Sequence, residues 1–85
     1  MFKIKAADGT NNLTGKEIAR IRKSKKLSQR KLAEKMQLLG FDVDHYFIRR
    51  VENGERFVTD IDLVIFSRAL EVSTEEILSV AQQNL

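Results

Sequence analysis

Apolar residues recur three and four positions apart along most of the chain, and short polar clusters separate these stretches. An α-helix has about 3.6 residues per turn, so this spacing places the apolar side chains of each stretch on one helix face. The pattern predicts an all-α chain of five helices, near residues 15–25, 28–39, 44–53, 60–70 and 74–82. No proline occurs in the chain, in keeping with short connections between helices.

A residue that commonly caps a helix N-terminus lies at, or directly before, the start of each predicted helix. These residues are Thr14, Ser28, Asp44, Thr59 and Ser73. Their side-chain oxygens can accept hydrogen bonds from the free backbone N–H groups of the first turn. Thr14 and Ser73 are each followed three positions later by glutamate, which is the pattern of a capping box. We therefore expect reciprocal cap bonds at the start of the first and the last helix.

Residues 1–13 lack this helical pattern. An apolar alternation of Phe2, Ile4 and Ala6 is followed by turn-forming residues between Asp8 and Asn12. The alternation predicts either a short edge strand or a disordered arm, and we favour the arm because no partner strand is evident. We therefore divide the chain into a flexible N-terminal arm over residues 1–13, a helical domain over 14–80 and a C-terminal tail over 81–85.

The stretch from Leu27 to Gly54 is typical of two helices joined by a tight connection. Its diagnostic residues are Leu27-Ser28-Gln29 and Leu32-Ala33 in the first helix, with Ile48 and Val51-Glu52-Asn53-Gly54 in the second. In these residues the stretch resembles the helix-turn-helix of the lambdoid repressor and Cro family, the xenobiotic-response-element (XRE) type. The resemblance covers about residues 14–80 and implies a five-helix, lambda-repressor-like DNA-binding domain.

The chain departs from the family pattern between Ala33 and Glu52, where it is longer by a few residues. The extra length lies within residues 37–42, so either the second helix is longer or the connection bulges. We expect the apolar residues here, Leu38, Leu39 and Phe41, to pack against the core. Gly40 is expected just past the end of a lengthened helix, in the left-handed conformation.

The second helix of the motif has an apolar back, formed by Ile48 and Val51, and an arginine-rich front. The residues expected to read bases in the major groove are His45, Tyr46, Phe47, Arg49 and Arg50. An arginine on this face can form two hydrogen bonds to guanine. The resemblance further implies contacts to the DNA backbone from Gln29, Arg30, Asn53 and Arg56. It also implies an ion pair between Arg22 and Glu52 beneath the recognition helix.

Charge is distributed unevenly along the chain. Residues 1–35 carry 11 lysines and arginines against 3 acidic residues, whereas residues 36–85 carry 4 against 9. A basic half attracts polyanions, of which nucleic acid is the usual one. Charge alone is also compatible with lysines that merely solvate a helical surface.

Other classes of function are poorly supported by the composition. The chain has no cysteine and one histidine, His45, so neither a catalytic triad nor a metal site is expected, and no cofactor is expected either. We therefore do not expect an enzyme. No apolar run is long enough to span a membrane, and the absence of cysteine suits a reducing cytoplasm, where we expect the chain to act.

These observations predict a sequence-specific transcriptional regulator, most simply a repressor, whose partner is double-stranded DNA. One helix reads only a few base pairs, so a homodimer on two symmetric half-sites is expected. Four apolar residues that the aligned core does not need form the expected dimer face, although they could also face another partner or be lightly buried core: Val64, Ile65, Ile77 and Val80. The alternative is an adaptor or antitoxin-like module with the same fold, whose main partner is another protein.

Overall fold

A computed structural model describes residues 5–82, which form five helices and no strand. The helices are α1 (Gly15–Ser24), α2 (Gln29–Leu38), α3 (His45–Glu52), α4 (Asp60–Leu70) and α5 (Thr74–Ala81). Every bound lies within one residue of the prediction, and the all-α fold class is confirmed. The expected alternation at Phe2 and Ile4 and most of the expected C-terminal tail lie outside the described residues.

One hydrophobic core holds the five helices together. The largest fully buried side chains come from every helix: Ile18, Leu32, Met36, Ile48, Val51, Phe66, Leu70 and Ile77. α2 packs on α3 and α4, while α1 packs on α3, α4 and α5. α3 is thereby supported from behind along its apolar back. Within residues 5–82, no helix has both the length and the apolarity needed to cross a membrane.

Four of the five predicted N-caps are confirmed. The Ser28 hydroxyl accepts the Lys31 N–H at 3.0 Å, and the Asp44 carboxylate accepts the Phe47 N–H at 3.0 Å. Complete capping boxes start α4, from Thr59, and α5, from Ser73. Each cap satisfies a backbone donor that has no partner inside its own helix.

The predicted capping box at Thr14 is wrong. Thr14 already has helical backbone angles and its side chain makes no cap bond, whereas a capping residue normally has extended angles. Asn12 takes the role, because its Oδ1 accepts the Gly15 N–H at 2.7 Å. Glu17, the expected second member of the box, instead accepts hydrogen bonds from Arg20.

α2 ends in the turn that Gly40 was expected to form. Gly40 has φ +88°, its N–H donates to the Gln37 carbonyl at 2.9 Å, and the Phe41 N–H donates to the Met36 carbonyl at 3.0 Å. This pair of bonds is a Schellman motif. The half-buried Phe41 ring then packs on the core, edge-on to Phe47 with 6.1 Å between ring centroids.

The expectation that Leu38 and Leu39 pack against the core is wrong. Their exposed fractions are 87% and 46%. The Schellman turn reverses the chain at Gly40, so Phe41 returns to the core and the two leucines remain on the outside. Burial of one aromatic ring is therefore what anchors the extra residues.

The start of the helical domain, expected at residue 14, lies a few residues earlier. The Asn11 N–H donates to the Gly54 carbonyl at 2.8 Å, and the Asn12 side chain bonds to backbone carbonyls of residues 51 and 56. Residues 10–12 are thus attached to the turn that follows α3. Part of the expected flexible arm belongs to the packed domain.

Candidate nucleic-acid interface

The outer face of α3 presents polar and charged side chains at helical spacing. Tyr46, Arg49, Arg50 and Asn53 are exposed, and they follow one another at intervals of three, one and three residues. This spacing places them on one helix face, opposite the fully buried Ile48. Within residues 5–82, neither arginine forms an ion pair. Both guanidinium groups are therefore available to a ligand.

His45 and Tyr46 form a pair at the N-terminal end of this face. Their ring centroids are 4.1 Å apart and the rings are tilted by 34°. Tyr46 is about half exposed and His45 is half-buried. The Asp44 cap fixes the start of the helix directly before them. The pair therefore places two aromatic rings in the first turn of α3.

Phe47 does not lie on this face, so its assignment as a base-reading residue is wrong. Its exposed fraction is 8%, and its ring stacks on Phe66 with 5.9 Å between centroids. Phe47 precedes Val51 by one helical turn and so shares the buried side of α3. Phe47 does contact one of the expected backbone-binding residues, because the Arg56 guanidinium lies over its ring at 4.8 Å, within the range of a cation–π interaction.

The turn after α3 carries two of the residues expected to contact the DNA backbone, Asn53 and Arg56. Both are exposed. Gly54, between them, has φ +77°, and the Glu55 N–H donates to the Arg50 carbonyl at 2.9 Å, so α3 also closes with a Schellman motif. The turn therefore places these two side chains next to the C-terminal end of the exposed face of α3.

The start of α2 supplies a second group of donors. Gln29 and Arg30 are its first residues, where backbone N–H groups lack partners in the helix and the dipole favours an anion. The Gln29 side-chain amide donates to Glu52 Oε1 at 3.0 Å and so ties this end of α2 to α3. Exposed Lys25 and Lys26 precede the helix. These lysines were not among the residues expected to contact DNA, although their position just before the Ser28 cap was a usable signal.

Arg22 and Glu52, the expected ion pair, lie in contact beneath the interface. Arg22 donates twice to the Glu52 carboxylate, at 2.6 and 3.0 Å, and once more to the Leu27 carbonyl at 2.7 Å. The side chains are 9% and 7% exposed. Together with the bond from Gln29, the pair links α1, the start of α2 and the end of α3.

Two acidic residues near the start of the chain, Asp8 and Glu17, form ion pairs with nearby basic residues. Asp8 forms an ion pair with Lys16 at 3.0 Å, and Glu17 pairs with Arg20. The pKa of the Asp8 carboxyl lies well below its usual range, because the Thr10 hydroxyl and backbone N–H donate to it and Lys16 stabilises its charge. The pKa of Arg20 is raised by its hydrogen bonds to Glu17.

The expected dimer face is only partly on the surface. Ile77 is fully buried in the core, so its assignment to the face is wrong. Val64 and Val80 are exposed and Ile65 is half-buried. Ile61, which was not assigned, has an exposed fraction of 64% and precedes Val64 by one helical turn. The i, i+3 spacing of these two exposed residues was a usable signal.

A family model described as "Helix-turn-helix" matches residues 18–77, which include α2, α3 and most of the supporting core. The chain belongs to this helix-turn-helix family. The match is of the XRE type and confirms the resemblance noted in the sequence. This helix-turn-helix protein is accordingly a DNA-binding transcriptional regulator. No curated protein sequence matches the chain.

Two solved structures are similar to this helix-turn-helix protein. The clp gene regulator ClgR from C. glutamicum is 23% identical, with a TM-score of 0.75 over 86% of this chain and 88% of its own. The restriction-modification controller protein C.AhdI from Aeromonas hydrophila is 28% identical, with a TM-score of 0.66 over 76% of this chain and 91% of its own. The likeness to ClgR shows a shared fold.

Proposed function

We propose that this protein is a sequence-specific regulator that inserts α3 into the major groove of an operator. The observation that carries the proposal is the exposed face of α3, where Arg49 and Arg50 are unpaired among the described residues and stand above a fully buried apolar back. A major groove admits one α-helix, and arginine can bind both acceptors of a guanine edge. Tyr46 and His45 contact bases or the flanking backbone at the helix start.

Contacts to phosphates position α3 on the duplex. We assign them to the start of α2, through Gln29 and Arg30, and to the turn after α3, through Asn53 and Arg56. Both elements are attached to α3, which supports this assignment. The start of α2 is bonded to the end of α3 through Gln29 and Glu52, and the turn follows α3 directly in the chain. Such contacts determine register and orientation but carry no sequence information themselves.

Selection of bound duplexes from a random pool by the purified protein tests the sequence-specific function. We expect enrichment of one short motif that occurs twice as an inverted repeat, with half-sites about one helical turn apart. Enrichment of no motif, together with a stable complex with another protein, would instead support the adaptor or antitoxin-like alternative.

We further propose that the active form is a homodimer whose contact includes the outer face of α4. Ile61, Val64 and Ile65 share this face with Asp60 and Arg68. Val64 lies midway between the two charged residues, so a two-fold axis at Val64 brings Asp60 of each copy beside Arg68 of the other. Val80, which was also assigned to the expected dimer face, is exposed on α5. The face is therefore self-complementary, with apolar residues at its centre and opposite charges, Asp60 and Arg68, at its two ends.

Repression is the mode of regulation that we propose, because it requires only that the dimer occupy a promoter. The protein then acts by binding alone, without catalysis, in the cytoplasm. A reporter gene placed behind the selected operator checks the mode. Repression predicts lower expression when the protein is present, and higher expression would show that it activates.

A further inference from the structure

Residues Thr10 to Asn12 lie against the turn that follows the recognition helix. The Asn11 N–H donates to the Gly54 carbonyl at 2.8 Å, and its side-chain amide donates to the Glu55 carbonyl at 3.0 Å. Thr10 packs on Gly54 so closely that a Cβ atom there would lie 2.5 Å from the threonine side chain. The turn is therefore covered by a segment more than 40 residues away in sequence.

Asn12 connects three elements through one side chain. Its Nδ2 donates to the Val51 carbonyl at 3.0 Å and to the Arg56 carbonyl at 2.7 Å, while its Oδ1 accepts the Gly15 N–H at 2.7 Å. Both amide protons are thus used, one at the end of α3 and the other at the turn. A side chain without two donors cannot make this connection.

The residue held in this way is Arg56. Its backbone is fixed from one side by Asn12, and its guanidinium rests on the Phe47 ring on the other. An arginine side chain loses much rotamer entropy when it binds a phosphate, and a backbone fixed in advance reduces what remains to be ordered. The Asn12 amide is well placed to supply that order.

We propose that Asn12 is a positioning residue for DNA binding, which holds the turn after α3 so that Arg56 meets a phosphate while α3 lies in the groove. The proposal rests on the proposed function, because it presupposes that Arg56 contacts DNA. It assigns to residues 10–12 a part in binding that does not require them to touch the duplex.

The test measures the affinity of the full chain for a labelled duplex of mixed sequence, about 30 base pairs long so that it exceeds two half-sites, over a series of salt concentrations. Four proteins are compared: the unchanged chain, Asn12→Ala, Arg56→Ala and the double variant. We expect Arg56→Ala to weaken binding by about tenfold and to lower the salt slope by about one. Asn12→Ala should reproduce much of both effects, and the double variant should lose little beyond Arg56→Ala.

Ser73→Ala is the matched control, because Ser73 caps α5 as Asn12 caps α1 but has no bond to the turn after α3. It should lower the melting temperature without changing the salt slope. Asn12→Asp keeps an oxygen that can accept the Gly15 N–H but has no donor for the Val51 and Arg56 carbonyls, so it serves as the second variant if Asn12→Ala does not fold.

The outcomes separate this inference from the proposed function. If Asn12→Ala or Asn12→Asp binds with the affinity and salt slope of the unchanged chain, the positioning role is overturned while DNA binding stands. Full additivity of Asn12→Ala and Arg56→Ala overturns it as well. If the unchanged chain binds no duplex, the proposed function fails and this inference fails with it.

Discussion

At the scale of single residues, the Arg22–Glu52 pair is the buried ion pair that links the end of α3 to α1. Glu52→Ala leaves the Arg22 guanidinium buried without its charged partner, and such a loss typically costs about 3–5 kcal/mol of the roughly 5–15 available to a domain. Chemical denaturation of the purified variant measures the change. The free energy of unfolding should decrease by this amount.

Two further variants show whether an uncompensated charge is the cause. Glu55→Ala removes an exposed carboxylate and should change the free energy of unfolding little. Replacing both partners, Arg22→Leu with Glu52→Leu, removes the buried charges together and should recover part of the loss. Equal, small effects of Glu52→Ala and Glu55→Ala would contradict the account.

Phe47 illustrates what helix periodicity can and cannot predict about the interface. Its spacing from Val51 is that of a buried residue, but it was assigned to the base-reading face together with Tyr46 and Arg49, which lie on the exposed side. Stacking on Phe66, which lies in a different helix, decides the matter. Its contact with Arg56 depends on the turn after α3 and could not be predicted from local pattern.

At the scale of elements, the helix bounds follow closely from local sequence because caps and closing turns act within a few residues. Ser28, Asp44, Thr59 and Ser73 all behave as their local sequence predicts. Thr14 does not, because the competing cap, Asn12, is held by carbonyls of residues 51 and 56. A contact so distant in sequence leaves no trace in a local pattern.

The two exposed leucines of the helix-turn-helix connection show a second limit of prediction from local sequence. Leu38 and Leu39 were expected inside because burial of apolar area is favourable. Single exposed apolar side chains are nevertheless common in folded proteins, and the segment is attached to the core by the half-buried Phe41 and Val43. Which of three neighbouring apolar residues turns inward is determined by the bonds of the closing turn.

The closing turn of α2 makes a sharp prediction for Gly40→Val. No atom lies within 4 Å of the position a Cβ would take, so the substitution creates no clash, but Gly40 has φ +88° and a β-branched residue is strained there. We expect a loss of about 1–2 kcal/mol in the free energy of unfolding, measured by chemical denaturation.

Glu71→Gly is the control for Gly40→Val, because it removes a side chain at positive φ instead of adding one. Glu71 has φ +58° in the same position after α4, where the Val72 N–H donates to the Ser67 carbonyl. Removing its Cβ relieves strain, so this variant should be as stable as the unchanged chain or slightly more so. A harmless Gly40→Val would show that the connection does not need the left-handed turn.

At the scale of the whole molecule, the outer face of α4 predicts the oligomeric state. Changing Ile61 and Val64 together to aspartate places charge in the centre of the proposed dimer contact, and the dimer should dissociate. Sedimentation measures the mass in solution, and circular dichroism shows that the helices persist. The one polar contact described for Val64 is the bond from the Ser67 hydroxyl to its backbone carbonyl. A substitution of the Val64 side chain leaves that carbonyl in place.

Leu38→Asp is the control for this prediction, because Leu38 is still more exposed but lies at the end of α2. It should leave the dimer intact. If Leu38→Asp dissociates the dimer while the α4 variant does not, the contact lies at the helix-turn-helix connection instead.

We expect α3 to read bases through Arg49, and this role is measured by the affinity of Arg49→Ala for a set of single-base operator variants. Loss of a bidentate contact to guanine should remove about 1–3 kcal/mol of discrimination at one base pair of each half-site. Arg56→Ala, measured on the same set, should weaken all duplexes about equally. If Arg49→Ala leaves the ranking of the variants unchanged, α3 does not lie in the groove as proposed.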